Sequence, residues 1–311
     1  MRVLVTGGAG FIGSHIAESY LREGHKVSVV DNLSAGKIEN VPSGVTFCSI
    51  DILDPQLEEV FSQERPEVIN HHAAQIDVRK SVTDPLSDAQ VNIMGTLSLL
   101  EYARKYGTSQ VVFASSGGAI YAEDGILPYS ENSPARPISP YGLSKYVGEK
   151  YLSLYWSLFG LNSVVLRYSN VYGPRQDPRG EAGVVAIFCQ GILDAKPLTV
   201  FGDGTQTRDY VHVFDVVEAN ILALKKDGHH ILNIGTGKET SVNDLLIAFE
   251  GIFESPLPRK NADPRPGEVQ RSCLAVSKAQ LKLGWVPEVP LEEGLRETLR
   301  WVESGQRVQD R

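Results

Sequence analysis

The sequence predicts an α/β protein built on a doubly wound parallel sheet, and three observations support this fold class. Apolar runs recur near 2–6, 26–31, 45–50, 66–71, 109–115 and 163–168, with helix-length segments between most of them. Strands that alternate with helices favour a parallel sheet covered on both faces. A glycine-rich turn joins the first run to a helical segment, and a chain of 311 residues with 42% hydrophobic content can bury the core such a sheet needs.

The turn at 6–13 follows the first strand and precedes apolar residues at helical spacing, Ile12, Ile16, Tyr20 and Leu21. This strand–turn–helix context is the one that a dinucleotide-binding fingerprint requires. Glycine lets the backbone approach a pyrophosphate, whose charge is met by free N–H groups at the helix N-terminus. Two registers fit, Gly8-x-Gly10-x-x-Gly13 and Gly7-x-x-Gly10-x-x-Gly13, and the pattern does not choose between them.

The second predicted strand ends in an acid, Asp31, which lies 18 residues after Gly13. Its carboxylate could accept hydrogen bonds from a ribose diol, whereas a 2′-phosphate would meet a like charge. The sequence therefore predicts NAD rather than NADP on a Rossmann-type sheet.

A phenol, an ammonium and a hydroxyl are predicted to meet beside this dinucleotide. Tyr141 and Lys145 are four residues apart on a helix that Pro140 would begin, so both lie on one face. An ammonium roughly 4 Å from the phenol would favour the phenolate by about 4 kcal/mol at an effective dielectric of 20, before desolvation opposes it. Ser115 or Ser116, after the fifth strand, can bind a substrate oxygen while Tyr141 takes its proton. This chemistry removes hydride from a carbinol.

A second pair with the same spacing, Tyr146 and Lys150, competes for that role. Five residues advance a helix by roughly 140° beyond a full turn, so the two pairs face different directions. We expect Tyr141 and Lys145 to face the cofactor, since they begin the helix, and the other pair to serve packing and surface charge.

Composition narrows the classes of ligand and compartment. A formal net charge of −8 gives no general basic surface for nucleic acid, so we expect a small phosphorylated ligand held by a few arginines. Three cysteines without a close pair argue against a disulfide framework or a clustered cysteine metal site. The adjacent histidines diverge on a strand or helix, and no metal is predicted. No apolar stretch approaches the roughly 20 residues that span a bilayer, and a cytoplasmic protein without membrane partners is expected.

The apolar pattern loosens after about residue 170, with glycine- or proline-marked turns near 173, 203, 236 and 265. We predict an NAD-binding domain at 1–170, rejoined by about 213–235, and a smaller C-terminal α/β substrate-binding part that makes up most of 171–311.

Over nearly its whole length the chain resembles the extended short-chain dehydrogenase/reductase family, and within it the nucleotide-sugar 4-epimerases of the UDP-glucose (UDP-galactose) 4-epimerase type. The motifs that carry the resemblance lie at 3–13, 31–34, 51–52, 72–74, 92–96, 115–121, 139–142, 167–176, 202–204, 208–212, 233–237 and 265–268.

The fingerprint and the resemblance together imply the residues of the site. The catalytic group is Ser116, which stands 25 residues before Tyr141, with Tyr141 itself and Lys145. The NAD contacts are Gly7, Gly10, Phe11, Ile12, Gly13, Asp31, Asn32, Ser34, Asp51, Ile52, His72, Ala73, Ala74, Asn92, Tyr141, Lys145 and Tyr168. The substrate contacts are Ser116, Asn170, Arg208, Arg265 and Ser272, of which Asn170 and the two arginines match diphosphate contacts.

The resemblance also implies a reaction and a setting. Tyr141 takes the 4-hydroxyl proton as hydride leaves C4 of a UDP-sugar for tightly held NAD. The transient 4-keto sugar then turns over and regains hydride on its other face. The family implies galactose metabolism and a homodimer formed by the helices near 86–106 and 141–160, although Leu97, Leu100, Tyr151, Leu154 and Leu158 could equally be core.

Departures from the family pattern bear on specificity. Gly117 and Gly118 stand where related dehydratases carry an acidic pair, which favours epimerisation over loss of water. Ser272 stands where strict glucose/galactose enzymes often carry a tyrosine, so we predict that UDP-N-acetylhexosamines are also accepted. Ala122 replaces a common glycine after Tyr121, a minor change.

Two other functions stay open. A UDP-glucuronate 4-epimerase would need a cation for the C6 carboxylate, and the sequence identifies none. A non-catalytic NAD-dependent sensor would typically lack the tyrosine or the lysine, and this chain keeps both.

Overall fold

The computed structural model describes residues 1–121, 125–178, 183–224, 226–264 and 269–309, without the side chains of 306–309. The strands are β1 (Arg2–Thr6), β2 (Lys26–Val30), β3 (Thr46–Cys48), β4 (Val68–His71), β5 (Gln110–Ser116), β6 (Asn162–Tyr168), β7 (Asn170–Tyr172), β8 (Leu198–Phe201), β9 (Thr207–Arg208), β10 (Tyr210–His212), β11 (His229–Ile234), β12 (Thr240–Ser241) and β13 (Arg259–Ala262).

The α-helices are α1 (Phe11–Arg22), α2 (Leu57–Glu64), α3 (Val78–Thr83), α4 (Pro85–Ala89), α5 (Gly95–Tyr106), α6 (Gly117–Ile120), α7 (Pro140–Phe159), α8 (Val184–Leu193), α9 (Val213–Ala223), α10 (Val242–Phe253), α11 (Ser277–Leu283) and α12 (Leu291–Gln309). A 3-10 turn spans Ile38–Asn40, and a π-helical segment, Gln90–Met94, connects α4 to α5.

A seven-stranded parallel sheet in the order β11-β6-β5-β4-β1-β2-β3 forms the centre of the molecule. The strand order reverses at β1, with later strands added first on one side and then on the other, which is the doubly wound arrangement predicted. Each of the six apolar runs forms a strand of this sheet. The fold-class prediction is confirmed, and the crevice at the reversal lies outside the carboxyl ends of β1 and β4.

Helices cover both faces of the sheet, and so its strands are apolar on both sides. On one face, a buried cluster packs Ile16 of α1 and Val216 of α9 with Val5 of β1. A second buried cluster packs Leu99 of α5 and Leu152 of α7 with Leu4 of β1. Parallel strands buried on both sides read as continuous apolar runs, which is why the sequence located them.

A third cluster, built from α8, α10 and α12 with β8, gives the C-terminal part its own core. Two-stranded pairs β7–β10, β9–β12 and β8–β13 surround it. Meanwhile α9 packs on α1, and β11 pairs with β6 in the main sheet. Helix α9 and strand β11 therefore pack with the main sheet, while the domain bounds expected at 170 and about 213–235 stay predictions.

Candidate active site

The glycine-rich turn begins the cleft because β1 must reverse sharply into α1. Gly7 has a φ of 72°, and a Cβ there would lie 2.6 Å from the backbone N of Ala73. A Cβ on Gly13 would lie 2.2 Å from the carbonyl of Gly7, so the helix packs on the turn only without a side chain. Gly7, Gly10 and Gly13 line the cleft, whereas Gly8 packs towards Val29. The register left open by the sequence is therefore Gly7-x-x-Gly10-x-x-Gly13.

The N-terminus of α1 points at this cleft. Gly10 is its N-cap and supplies no side chain to the first turn. Backbone N–H groups of that turn, together with the helix dipole, form a site suited to an anion.

A cleft of about 1240 Å³ gathers most of the predicted site residues. Those that line it are Gly7, Gly10, Phe11, Ile12, Gly13, Asp31, Asn32, Ser34, Asp51, Ile52, His72, Ala73, Ala74, Ser116, Tyr141, Lys145, Tyr168, Asn170 and Arg208. Many of them follow the carboxyl ends of neighbouring strands, whereas Tyr141 and Lys145 come from α7 and Arg208 from β9. Convergence of these elements explains how residues far apart in sequence meet.

Two described residues of the predicted site are not among the cleft lining. Asn92 is 4% exposed and holds the loop after β4, since its side chain exchanges two 2.9 Å hydrogen bonds with the backbone of Gln75. Ser272 is also buried, and its backbone N donates to the carbonyl of Thr207. Arg265 lies outside the described residues, as do Ala122 and the rest of the 265–268 motif.

Asp31 stands at the end of β2 and fixes the loops around one end of the cleft. Its carboxylate accepts a 3.0 Å hydrogen bond from the backbone of Ala9 and a 2.8 Å bond from that of Leu33. Asn32 donates across to Asp51 at 2.6 Å. A carboxylate has about four acceptor sites, so Asp31 keeps capacity for a ribose diol.

Tyr141 and Ser116 both line the cleft wall, where the Ser116 hydroxyl acts on the pKa of the Tyr141 phenol. α7 begins at Pro140, as predicted, and the Ser139 hydroxyl caps it by accepting from Gly142 at 3.1 Å. A Cβ on Gly142 would lie 2.2 Å from the carbonyl of Ala119. This glycine lets the first turn of α7 come close enough for Tyr141 to reach Ser116.

The two serines at the end of β5 face opposite ways, as consecutive strand residues do. The Ser115 hydroxyl donates to the buried carboxylate of Glu149 at 2.6 Å, while Ser116 meets Tyr141. Glu149 in turn binds the Arg167 guanidinium through two bonds of 2.8 and 2.6 Å. No spacing pattern in the sequence indicates this buried ion pair.

Lys145 contacts the backbone more closely than it contacts Tyr141. Its ammonium donates to the carbonyl of Ala114 at 3.0 Å and lies 6.0 Å from the centre of the Tyr141 ring. Burial raises the pKa of Tyr141 to about 12, although the hydrogen bond with Ser116 opposes this. Burial likewise lowers the pKa of Lys145 to about 8, and the charge of Asp88 opposes it. Burial therefore opposes the phenolate in this structure, and the favourable effect expected from the Lys145 ammonium stays a prediction.

The competing pair lies on another face of α7. Lys150 is exposed, its ammonium sits 4.6 Å from the centre of the Tyr146 ring, and neither side chain lines the cleft. Tyr141 and Lys145 are thus the pair that lines the cleft, and their place beside the cofactor stays a prediction.

The opposite wall comes from the C-terminal part, and sequence reasoning found little of it. Its contributors include Phe188 of α8, Thr199 and Phe201 of β8, Gln206 and Tyr210. Single aromatic or polar residues on short elements carry no spacing signal. Three buried polar atoms of cleft residues have no partner in the described structure: Nδ1 of His72, Oγ of Ser169 and Oε1 of Gln176.

Among the described residues, no three His, Cys, Asp or Glu side chains group closely enough to hold a metal ion. In the same part of the chain, no helix is long and apolar enough to cross a membrane.

The chain matches known proteins over most of its length. A model of the family described as NAD dependent epimerase/dehydratase matches residues 3–235. A putative UDP-glucose 4-epimerase of Methanocaldococcus jannaschii is 48% identical, with 98% of this chain and 100% of that protein covered.

Two crystal structures are similar throughout. One is the UDP-glucose 4-epimerase of Thermotoga maritima with UDP-glucose, at a TM-score of 0.96 and 48% identity, covering 98% of this chain and 100% of the other. The second is the UDP-glucose 4-epimerase of Thermus thermophilus with NAD, at a TM-score of 0.91 and 47% identity, covering 97% and 99%.

Proposed function

The chain belongs to the NAD dependent epimerase/dehydratase family, and from that premise we propose how its cleft inverts C4 of a UDP-hexose. It is an NAD-dependent enzyme of the UDP-glucose 4-epimerase type, acting through a transient 4-keto sugar. The observation that carries the assignment of roles is that Ser116, Tyr141 and Lys145 line one cleft together with the glycine turn.

The cleft residues fit NAD, the enzyme's cofactor. A side chain at Gly7 or Gly13 would clash with nearby backbone atoms of the turn. The first turn of α1 has backbone N–H groups without a side-chain cap, which can bind a pyrophosphate. Asp31 and Asn32 are assigned to a ribose, and Asp51 with Ile52 to the adenine. When bound, NAD supplies the oxidising nicotinamide ring, whose positive charge also favours the phenolate of a tyrosine beside it.

In this proposal Ser116 and Tyr141 contact the C4 oxygen of the sugar, and Lys145 lies beside them. Ser116 orients the sugar hydroxyl, and Tyr141 holds its proton while the carbon is oxidised, then returns it when the ketone is reduced. Lys145 keeps a positive charge near the phenol and the nicotinamide ribose.

Binding of the diphosphate is assigned to Asn170, Arg208 and Arg265. Asn170 and Arg208 line the cleft on the side of the C-terminal part. Arginine suits this job because its planar fork binds phosphate oxygens in pairs. A firmly held UDP with looser sugar contacts lets the ketone present either face.

Epimerisation is favoured over dehydration by the two glycines after Ser116. Gly117 packs so closely that its Cβ would lie 2.5 Å from a Leu274 methyl, and a Cβ on Gly118 would meet only Asn170 at 3.9 Å. No carboxyl group stands at these two positions to remove water from C5 and C6.

The breadth of the sugar range is a further part of the proposal. We keep the prediction that UDP-N-acetylhexosamines are accepted, although Ser272 lies behind the cleft surface and would act through its neighbours. A UDP-glucuronate activity would use a cation, and Lys80 of α3 lines the cleft.

A homodimer is proposed from exposed apolar residues on α7. Leu154 is 46% exposed and Leu158 62%, whereas Leu100 is 1% exposed and belongs to the core. The helices α5 and α7 would pair with those of a second copy. Galactose metabolism and a cytoplasmic location complete the proposal, the latter because all three cysteines are free thiols.

The first test is conversion without added cofactor. Purified protein is incubated separately with UDP-galactose, UDP-N-acetylgalactosamine and UDP-glucuronate, and the nucleotide sugars are separated by chromatography. We expect UDP-galactose to yield its 4-epimer. A 4-keto-6-deoxy product, or no conversion after NAD is added, would overturn the proposal.

A matched pair of variants tests the assignment of the base. Tyr141→Phe should lower kcat by about 10²–10⁴-fold with little change in KM, since general acid–base catalysis contributes about that much. Tyr146→Phe, on the other face of the same helix, should stay close to the parent. Equal losses in the two variants would reject Tyr141 as the base.

A further inference from the structure

The carboxylate of Asp88 is buried behind the catalytic residues, and its hydrogen-bond donors in the described structure are neutral. Asp88 lies on α4 and is 0% exposed. Its Oδ1 accepts from the side-chain amides of Gln75 at 3.0 Å and Asn92 at 2.9 Å, and its Oδ2 accepts from the Ser144 hydroxyl at 2.5 Å. A buried charge is costly unless it is compensated, so this carboxylate needs a role that explains it.

The three donors come from the segments that frame the reacting centre. Gln75 belongs to the cleft loop after β4, and its amide also bonds the backbone of Asp77 through 2.9 and 2.6 Å bonds. Asn92 lies in the π-helical segment, a conformation often found at functional sites. Ser144 stands on α7, three residues after Tyr141 and one before Lys145. Asp88 therefore connects the cleft loop to the catalytic helix.

Asp88 also supplies the negative charge that Lys145 and Tyr141 experience. Its charge raises the pKa of both groups, opposing the effect of burial on Lys145 and adding to it on Tyr141. The other charged or titratable groups around them are His71 at the end of β4 and His72 directly after it, Glu149 on α7, which is paired with Arg167 of β6, and the exposed Arg79 and Lys80 on α3. β5 contributes only the Ala114 carbonyl, the Phe113 ring and the Ser116 hydroxyl to this site.

We propose that Asp88 is a positioning residue of the epimerase, whose carboxylate holds α7 against the Gln75 loop and serves as the internal counter-charge of Lys145. This proposal rests on the proposed function only where its test measures kcat and KM. Two variants separate the two roles, because Ser144 can accept as well as donate a hydrogen bond.

Asp88→Asn removes the charge and can keep all three hydrogen bonds, with its amide donating to Ser144. Loss of a negative charge lowers the pKa of both Tyr141 and Lys145. We expect both limbs of the pH profile of kcat to move towards acid by about one unit, with about a tenfold loss of kcat on the basic side and little change in KM. A profile that superimposes on that of the parent would overturn the counter-charge.

Ser144→Ala removes the tether to α7 and keeps the charge. It should lower kcat while leaving both limbs at the pH of the parent, and a kcat equal to that of the parent would overturn the tether even if Asp88→Asn does not fold. The control is Asp215→Asn, a buried aspartate outside the cleft that accepts from the backbone N of Glu288 at 2.9 Å. This control variant should be less stable than the parent, but the two limbs of its pH profile of kcat should lie at the same pH as those of the parent.

A measurement that needs no turnover distinguishes failure of the Asp88 proposal from failure of the proposed function. Tyrosinate absorbance is titrated in the parent and in Tyr141→Phe, and the difference reports Tyr141. The same difference between Asp88→Asn and the double variant should titrate at lower pH. A shift without epimerase activity would keep the electrostatic role and reject the function, whereas activity without a shift would do the reverse.

Discussion

The buried ion pair between Glu149 and Arg167 offers a quantitative test of what holds the catalytic strand ends together. The side chains of the two residues are 0% and 4% exposed. Glu149 accepts two bonds from the guanidinium and one from Ser115, and Arg167 also donates to Tyr121 at 2.7 Å. Burial opposes the charge on Arg167, but the hydrogen bonds and charge of Glu149 raise its pKa.

Glu149→Gln would leave the guanidinium buried without a counter-charge. Removing one partner of a buried pair destabilises a protein by about 3–5 kcal/mol, because the remaining charge is no longer compensated. At about 2.1 cal/mol/K of unfolding entropy per residue, a chain of 311 residues loses about 1.5 °C per kcal/mol, so Tm should fall by about 5–8 °C. In the double variant Glu149→Gln, Arg167→Met both partners are replaced, and it should regain at least half of the free energy of unfolding that Glu149→Gln loses.

The assays are urea unfolding for the free energy and thermal unfolding for Tm, both followed by circular dichroism, with Glu67→Gln as the control. Glu67 pairs with Arg2 at 3.7 Å on the surface, where the side chains are 44% and 47% exposed. Such exposed pairs contribute about 0–1 kcal/mol. The reasoning is refuted if Glu149→Gln costs no more than the control, or if the second substitution deepens the loss.

Two other predictions concern the cofactor turn and acid stability. Gly13→Ala places a Cβ 2.2 Å from the carbonyl of Gly7, so NAD binding measured by calorimetry should be lost, whereas Gly251→Ala, with nothing within 4 Å, should bind like the parent. Burial lowers the pKa of His15 to about 4, of His72 to about 3 and of His212 to about 4. Unfolded histidines take up protons below about pH 6.5, so stability is full above that pH and falls towards about pH 4, by about 1.4 kcal/mol per histidine per pH unit. A free energy of unfolding in urea that stays constant over this range would contradict the histidine argument.

Local patterns in the sequence were sufficient for the sheet and for much of the cleft. The buried strands read as apolar runs, and the start of α7 was visible as Ser139 and Pro140 before Tyr141. Because parallel strands end at one edge, the glycine turn, Asp31 and Ser116 could be assigned to one crevice before any contact was known. The resemblance added roles for these residues.

Contacts between distant segments decided what the sequence left open. Gly7 belongs to the cofactor register because Ala73 lies against it, and Ser115 differs from Ser116 because Glu149 is buried beneath one of them. The size of the desolvation that opposes the Lys145 ammonium could not be read from the sequence, and in the structure burial raises the pKa of Tyr141 to about 12.

The sequence by itself therefore determined the order of strands and helices, the cofactor turn and the spacing of the catalytic side chains, since these depend on residues close together in the chain. The tertiary structure decided which hydroxyl faces the cleft, which charges are buried and which group compensates them. Burial and electrostatic interactions depend on distances between segments such as α4, β4 and α7, and those distances are set only when the sheet and its helices pack together.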